Sequence, residues 1–157
     1  MHGAFSENPM HGLSMMCGAD FARMAGVDSW HIGTGIGKMR GGVREVREIS
    51  EEIEDRRVKK TKHRLAQDWG EMKPVFSVCS GGIYPGHVPY LMKNFGDDLI
   101  IQAGGGCHGH PDGTKVGAMA MRQAVDAVMK GETLADYSEE SAPELRAALK
   151  FWGIVRF

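Results

Sequence analysis

Leu99–Gly113 reads LIIQAGGGCHGHPDG. Leu99, Ile100 and Ile101 follow Gly96-Asp97-Asp98 as a short apolar run, the mark of a buried strand of a parallel sheet. The run ends at Gly104-Gly105-Gly106, where backbone N–H groups are free to approach an anion with no Cβ in the way. Beyond Pro111 and Gly113 a helical pattern begins, so the glycines stand between a strand and a helix. Upstream lies a second copy: Val75, Phe76 and Val78 form a strand, and Ser80-Gly81-Gly82 follow its end. In a (β/α)8 barrel the loops after the last two strands commonly build a phosphate site. Glycines at either position alone would serve a tight turn equally well; two strand-then-glycine units in series favour the anion site.

The surrounding chain continues this alternation. His11–Ala25 places Leu13, Met16, Cys17, Phe21 and Met24 at helical spacing, with Gly26 as cap. Val27–Ile32 reads as a strand running into Gly33-Thr34-Gly35-Ile36-Gly37-Lys38. That loop lacks the GxxxxGK[ST] spacing of a P-loop, and its third glycine is misplaced for a dinucleotide fingerprint. Gly42–Asp55 is a helix on Val43, Val46, Ile49 and Ile53. The charge-dense Glu51–Lys62 reads as a solvated connection, and Leu65–Trp69 as a further helical turn before the strand Pro74–Cys79. His87–Phe95 is a helix facing inward through Val88, Leu91, Met92 and Phe95. Lys115–Lys130 is a long helix packed through Val116, Met119, Ala120, Gln123, Ala124, Ala127 and Val128. Two more helices follow, one from Thr133 and one over Ala142–Trp152 with Ser141 as its N-cap. Strict alternation predicts βαβ units on a parallel sheet. Three strands cannot close a barrel of eight strands and about 250 residues, so the pattern is a small open sheet or a portion of a barrel.

Composition narrows the function. The 157 residues suffice for one core, and 19 basic against 20 acidic residues argue against a nucleic-acid surface. No apolar run approaches the roughly 20 residues of a membrane span, and His2, Glu7 and Asn8 interrupt any signal-like start. Cys17, Cys79 and Cys107 lack metal-type spacing and read as reduced thiols of a cytoplasmic protein.

Three motifs in order, His31-Ile32-Gly33-Thr34-Gly35-Ile36-Gly37-Lys38-Met39, then Ser80-Gly81-Gly82-Ile83 with His87-Val88-Pro89, then Gln102-Ala103-Gly104-Gly105-Gly106 with Gly109-His110-Pro111, resemble the C-terminal half of the RuBisCO large subunit. The likeness covers essentially the whole chain and is strongest to the form III and II/III enzymes. It implies the C-terminal portion of a (β/α)8 TIM barrel, about strands 6 to 8 with their helices. Residues 1–131 would run from helix 5 to helix 8, and residues 132–157 would form a C-terminal helical tail.

By the same resemblance, Lys38 is the loop lysine that closes over the site and stabilises the carboxylation transition state. His31 contacts one substrate phosphate, and Ser80 hydrogen-bonds a substrate hydroxyl. Gly81, Gly104 and Gly105 offer backbone donors to the other phosphate, flanked by Gly82, Gln102 and Ala103. His2 lies near the substrate, less directly engaged. His63, His108 and His110 keep ordinary structural readings. The family's Mg2+ ligands, a carbamylated lysine and two acidic residues on an earlier strand, have no counterpart here. The expectation is therefore a partial RuBisCO sequence. A full-length parent would turn ribulose 1,5-bisphosphate and CO2, or O2 in a side reaction, over with Mg2+, as a homodimer or higher homo-oligomer. A RuBisCO-like enolase or isomerase, or a half-barrel phosphate-binding module without catalysis, are the alternatives; Lys38 within Gly37-Lys38-Met39 speaks against the first.

Overall fold

The computed structural model describes residue 8, residues 10–36 and residues 42–155. In chain order the elements are α1 (Met15–Met24), β1 (Ser29–His31), α2 (Val43–Glu54), β2 (Arg57–Val58), β3 (Gln67–Asp68), β4 (Phe76–Ser80), a 3-10 turn Pro85–His87 leading into α3 (Val88–Phe95), β5 (Leu99–Gln102), α4 (Gly104–His108), α5 (Thr114–Met129), α6 (Leu134–Glu140) and α7 (Pro143–Trp152). β1, β4 and β5 form one parallel sheet in the order β1-β4-β5, with β4 central. The protein is thus mixed α/β, as the alternating pattern requires.

The sheet has one covered face. Ser77 and Cys79 of β4 are fully buried, and Ser77 Oγ meets Ser50 Oγ of α2 at 2.9 Å. Val46, Ile49 and Ile53 of α2 join Val88, Leu91 and Phe95 of α3, and Met121, Ala124 and Ala127 of α5, in a single core. The other face carries Ser29, His31, Phe76, Val78, Ser80, Ile100 and Gln102, of which only Val78, in the central strand, is buried. Phe76 is 52% and Ile100 42% exposed. The registers His31↔Val78↔Ile100 and Ser80↔Gln102 place these side chains in rows on one side of the pleat. The expectation that Leu99–Ile101 is a buried strand is corrected: burial alternates along it, with Leu99 and Ile101 half-buried and Ile100 exposed, because no element among the described residues covers this face.

Several local expectations change for physical reasons. α1 turns Met15, Gly18, Ala19, Ala22 and Arg23 inward, while Phe21 is 61% and Met24 54% exposed. Small residues let α1 approach α2 closely, and Arg23 buries because its Nη1 donates to the Glu52 and Asp55 carbonyls, both at 2.7 Å. Counting large apolar residues selected the opposite face. Ser14, with its Oγ accepting from Cys17 N–H at 3.1 Å, starts this helix later than expected.

Leu65–Trp69 is not helical. Gln67–Asp68 pairs antiparallel with Arg57–Val58 inside the stretch read as a solvated connection. Arg56 and Arg57 both reach the Asp68 carboxylate, Arg64 is only 6% exposed at its side chain, and Trp69 lies under the Arg23 guanidinium at 4.8 Å. In α5, Met119 points outward, and Gly117 and Met121 take its place in the packing. Ser141 ends α6 rather than capping α7. The α7 cap comes from α5: Gln123 Oε1 accepts from Leu145 N–H at 2.9 Å and its amide donates to Glu144 at 2.7 Å.

Candidate functional site

The C-terminal ends of three parallel strands gather the expected residues on one edge of the sheet. His31 closes β1 and Ser80 closes β4; His31 Nδ1 and Ser80 Oγ are 2.8 Å apart. The pair is possible because β1 stays paired beyond its last strand residue: Ile32 N–H donates to the Val78 carbonyl at 3.1 Å. Gln102 ends β5 beside Ser80 in register and is exposed.

Beyond the strand ends the backbone turns on glycine. Gly81 and Gly82 have φ of 112° and 72°, a region that L side chains avoid. After β5, Ala103 stands as the N-cap of α4, so the three glycines begin a short helix rather than an open loop. The first backbone bond of α4 is Cys107 N–H to the Ala103 carbonyl at 3.1 Å. The N–H groups of Gly104, Gly105 and Gly106 therefore precede its ladder, where helix N–H groups take outside acceptors.

The glycines differ in what demands them. A Cβ on Gly106 would lie 2.4 Å from the Ile83 carbonyl oxygen and 2.8 Å from Tyr84 Cα, so this glycine is a packing requirement between the two turns. Around Gly104 and Gly105 a Cβ would meet nothing within 4 Å. No internal contact requires glycine at those two positions, and they are exposed. Open space in front of N–H groups suits an external anion.

The first glycine-rich loop leaves β1 through Gly33 and Gly35, with φ of 97° and 61°. A Cβ on Gly35 would come 2.7 Å from Val43 Cα, and the Tyr90 hydroxyl donates to the Gly35 carbonyl at 3.4 Å. Tyr90 was not legible as a contact, because nothing in sequence spacing links α3 to this loop. Lys38 and His2 lie outside the described residues. His110, read as structural, is buried, with Nδ1 accepting from Asp112 N–H and Nε2 on the Glu144 carbonyl, both at 3.1 Å. No group of three or more His, Cys, Asp or Glu side chains placed to hold a metal ion occurs among the described residues.

A separate cavity of about 590 Å³ lies between α1, α2 and residues 60–69, away from the strand ends. Asp20 and Glu52 line it, and Asp20 Oδ1 and Glu52 Oε2 are buried without hydrogen-bond partners. Burial pushes both carboxyls above the usual range; for Glu52 the Asp20 charge adds to this, opposed by Arg64, the Trp69 indole and Arg23. The Trp69 N–H favours a charged Glu52 yet completes no hydrogen bond with it.

Raised folded-state values mean that the protonated forms favour folding. This contribution is complete below the unfolded carboxylate range of about pH 4 and is lost as pH rises through the raised values. Burial holds His87 below its usual range, which adds stability as pH rises toward the ordinary imidazole value and opposes this loss. The expected result is therefore a difference: between mildly acidic and neutral pH the double variant Asp20→Asn, Glu52→Gln should lose less Tm, or gain more, than the unsubstituted chain. Some slope should persist, since burial also raises Glu54. Thermal unfolding by circular dichroism across that window checks it, and an unchanged slope in the double variant contradicts it. The lowered carboxyls, Asp28, Asp68, Asp126 and Glu144, act with opposite sign below the usual range, outside this window.

Residues 1–152 match the family described as "Ribulose bisphosphate carboxylase large chain, catalytic domain". Among curated relatives, the ribulose bisphosphate carboxylase of Methanocaldococcus jannaschii is 48% identical over 154 residues, which is 97% of this chain and 36% of that protein. That of Pyrococcus abyssi is 45% identical over 156 residues, covering 99% of this chain and 34% of the relative. The chain thus spans about a third of the length of these relatives. In three dimensions it is similar to the dimeric archaeal Rubisco of Hyperthermus butylicus, with a TM-score of 0.85 and 44% identity over 99% of this chain and 36% of that one. It is likewise similar to the octameric ribulose-1,5-bisphosphate carboxylase/oxygenase of Pyrococcus horikoshii OT3, with a TM-score of 0.80 and 44% identity over 98% of this chain and 34% of that one.

Proposed function

Because this chain belongs to the family of ribulose bisphosphate carboxylase large-chain catalytic domains, we propose that its strand ends grip the phosphates of ribulose 1,5-bisphosphate within a complete carboxylase. The observation that carries this reading is the pairing of a sterically open glycine turn at Gly104 and Gly105 with the His31–Ser80 contact on the same sheet edge. In this account the chain is about strands 6 to 8 of a (β/α)8 barrel, with residues 1–131 in the barrel and 132–157 as a helical tail. The uncovered sheet face, with Phe76, Ile100 and Gln102, is the side that would turn toward a barrel interior.

The residues divide the work by chemistry. Gly81, Gly104 and Gly105 offer backbone N–H groups to one phosphate, which needs donors and no Cβ near its oxygens; Gly82, Gln102 and Ala103 flank it. His31 meets the other phosphate. Its Nδ1 is engaged with Ser80, so Nε2 is the nitrogen that faces the anion. A Ser80 hydroxyl donating to Nδ1 fixes the neutral ring with its proton on Nε2, the tautomer that donates to a phosphate oxygen. The Ser80 oxygen then accepts from a substrate hydroxyl. Lys38 brings a cation to the charge that develops as CO2 adds, and His2 stands near the substrate.

Mg2+ would polarise the substrate in the family's reaction, and the described residues do not form a site for it. Its ligands belong, in this proposal, to the remaining two thirds of a relative's length. A homodimer or larger homo-oligomer and a cytoplasmic location complete the reading, the first on the dimeric and octameric relatives.

The test is ribulose-bisphosphate-dependent fixation of labelled CO2 into 3-phosphoglycerate by a polypeptide carrying this chain with the rest of a family member's length. His31→Ala should raise KM for the bisphosphate by about 10-fold or more, the scale of one lost bond to a charged group, and Ser80→Ala by roughly 2- to 10-fold, the scale of one lost neutral bond. Fixation with unchanged KM in both variants contradicts the assignment. Isomerisation of a phosphorylated sugar without fixation would replace the carboxylase by the related isomerase.

A further inference from the structure

We propose that Trp152, at the end of the last helix, is the positioning residue that holds the two phosphate-facing glycine turns against each other. The inference rests on the phosphate reading above and adds the element that fixes the geometry. The turn after β4 and the turn after β5 belong to different strands, and their direct contact is backbone on backbone at Gly106, Ile83 and Tyr84. Such a contact excludes overlap but does not prevent the turns from separating.

One indole spans both. Its ring stacks on Tyr84 from the first turn, with centroids 5.7 Å apart and planes 16° apart. Its edge meets the His110 ring, just past the end of α4, at 6.1 Å and 68°, and Gly109 beside it is tied back to the second turn by its N–H donating to the Gly105 carbonyl at 2.9 Å. A Cβ on Gly109 would lie 3.5 Å from the Trp152 ring, so the end of α4, the short helix that the second turn begins, comes down onto the indole here as well.

Each partner is itself fixed. The His87 ring covers Tyr84 at 3.7 Å, and His87 Nδ1 accepts from Tyr84 N–H at 3.3 Å. His110 is held by Asp112 N–H and the Glu144 carbonyl. The end of α7 is tied to the first turn: Val155 N–H donates to the Gly86 carbonyl at 3.3 Å, and a Cβ on Gly86 would lie 2.2 Å from the Gly153 carbonyl oxygen. Trp152 is only half-buried and stands outside the main apolar core. Its ring contacts are with Tyr84, His110 and Phe151 beside it.

The test uses the 157-residue chain, inorganic phosphate and the amide resonances of Gly81, Gly82, Gly104 and Gly105. In the wild type these amides shift and saturate. Trp152→Phe, which keeps a ring, should hold Kd close to wild type. Trp152→Ala should weaken it by about tenfold, since donors no longer held in place must be ordered on binding, while the amides of α2 and α3 stay in place. Trp152→Leu, which keeps apolar volume without the ring, serves if the alanine variant does not fold, and should weaken binding similarly. Wild-type Kd in the folded alanine or leucine variant overturns the positioning role alone. Shifts missing from the turns of the wild type overturn the phosphate reading and this inference with it.

Discussion

Lys38→Ala, in a polypeptide completed to a relative's full length, should lower kcat for carboxylation by about 10²–10³-fold, the usual loss on removing one group that stabilises developing charge. In the proposed role the loop lysine contributes when CO2 adds and negative charge appears, so its removal should fall on kcat more than on KM. Proton abstraction from the substrate, which precedes CO2 addition, should continue. Lys38→Arg should also fail, because a planar fork does not replace a compact ammonium. The measurement sets carboxylation rate beside exchange of the substrate C3 proton with solvent. Near-normal carboxylation in Lys38→Ala would remove the loop lysine from the account.

Gly106→Ala and Gly104→Ala should separate packing from binding. At Gly106 the new Cβ would lie 2.4 Å from the Ile83 carbonyl oxygen and 2.8 Å from Tyr84 Cα, both backbone atoms that cannot rotate away. Overpacking of this kind costs about 1–3 kcal/mol, and each kcal/mol lowers Tm by roughly 2–4 °C in a chain of this size. The turns are driven apart, so phosphate affinity falls as well. At Gly104 nothing lies within 4 Å and the backbone is not in the left-handed region. Alanine there should leave Tm unchanged or slightly higher, given its better helix propensity, while its methyl group obstructs the anion. Calorimetry and phosphate titration of both variants check this. Equal loss of Tm in the two, or undiminished phosphate binding in Gly104→Ala, contradicts the division.

How much of this was legible in the sequence depends on the kind of signal. The parallel alternation was, because Val46, Ile49 and Ile53 and then Val88, Leu91 and Phe95 carry clean helical spacing between apolar runs, and all six are buried. His31 and Ser80 were legible as candidate site residues only through the motifs around them; their contact across 49 positions follows from strand register, which no local pattern encodes. The inner face of α1 was misread because close helix packing here uses Gly18, Ala19 and Ala22, which score poorly as apolar residues, and a buried Arg23 whose partners are carbonyls of a distant helix. The β2–β3 ribbon was missed because cross-strand charge pairs such as Arg57 with Asp68 resemble solvated charge in one dimension. The requirement for glycine at Gly106, against its dispensability at Gly104, exists only once two turns have met.

The most direct measurement is a structure of the completed polypeptide with a 1,5-bisphosphate analogue of the substrate. The account predicts one phosphate within hydrogen-bond distance of the Gly81, Gly104 and Gly105 N–H groups, the other at the His31 imidazole, and a substrate hydroxyl on Ser80. A bisphosphate bound with both phosphates away from these turns, for instance in the cavity between α1 and α2, would contradict it.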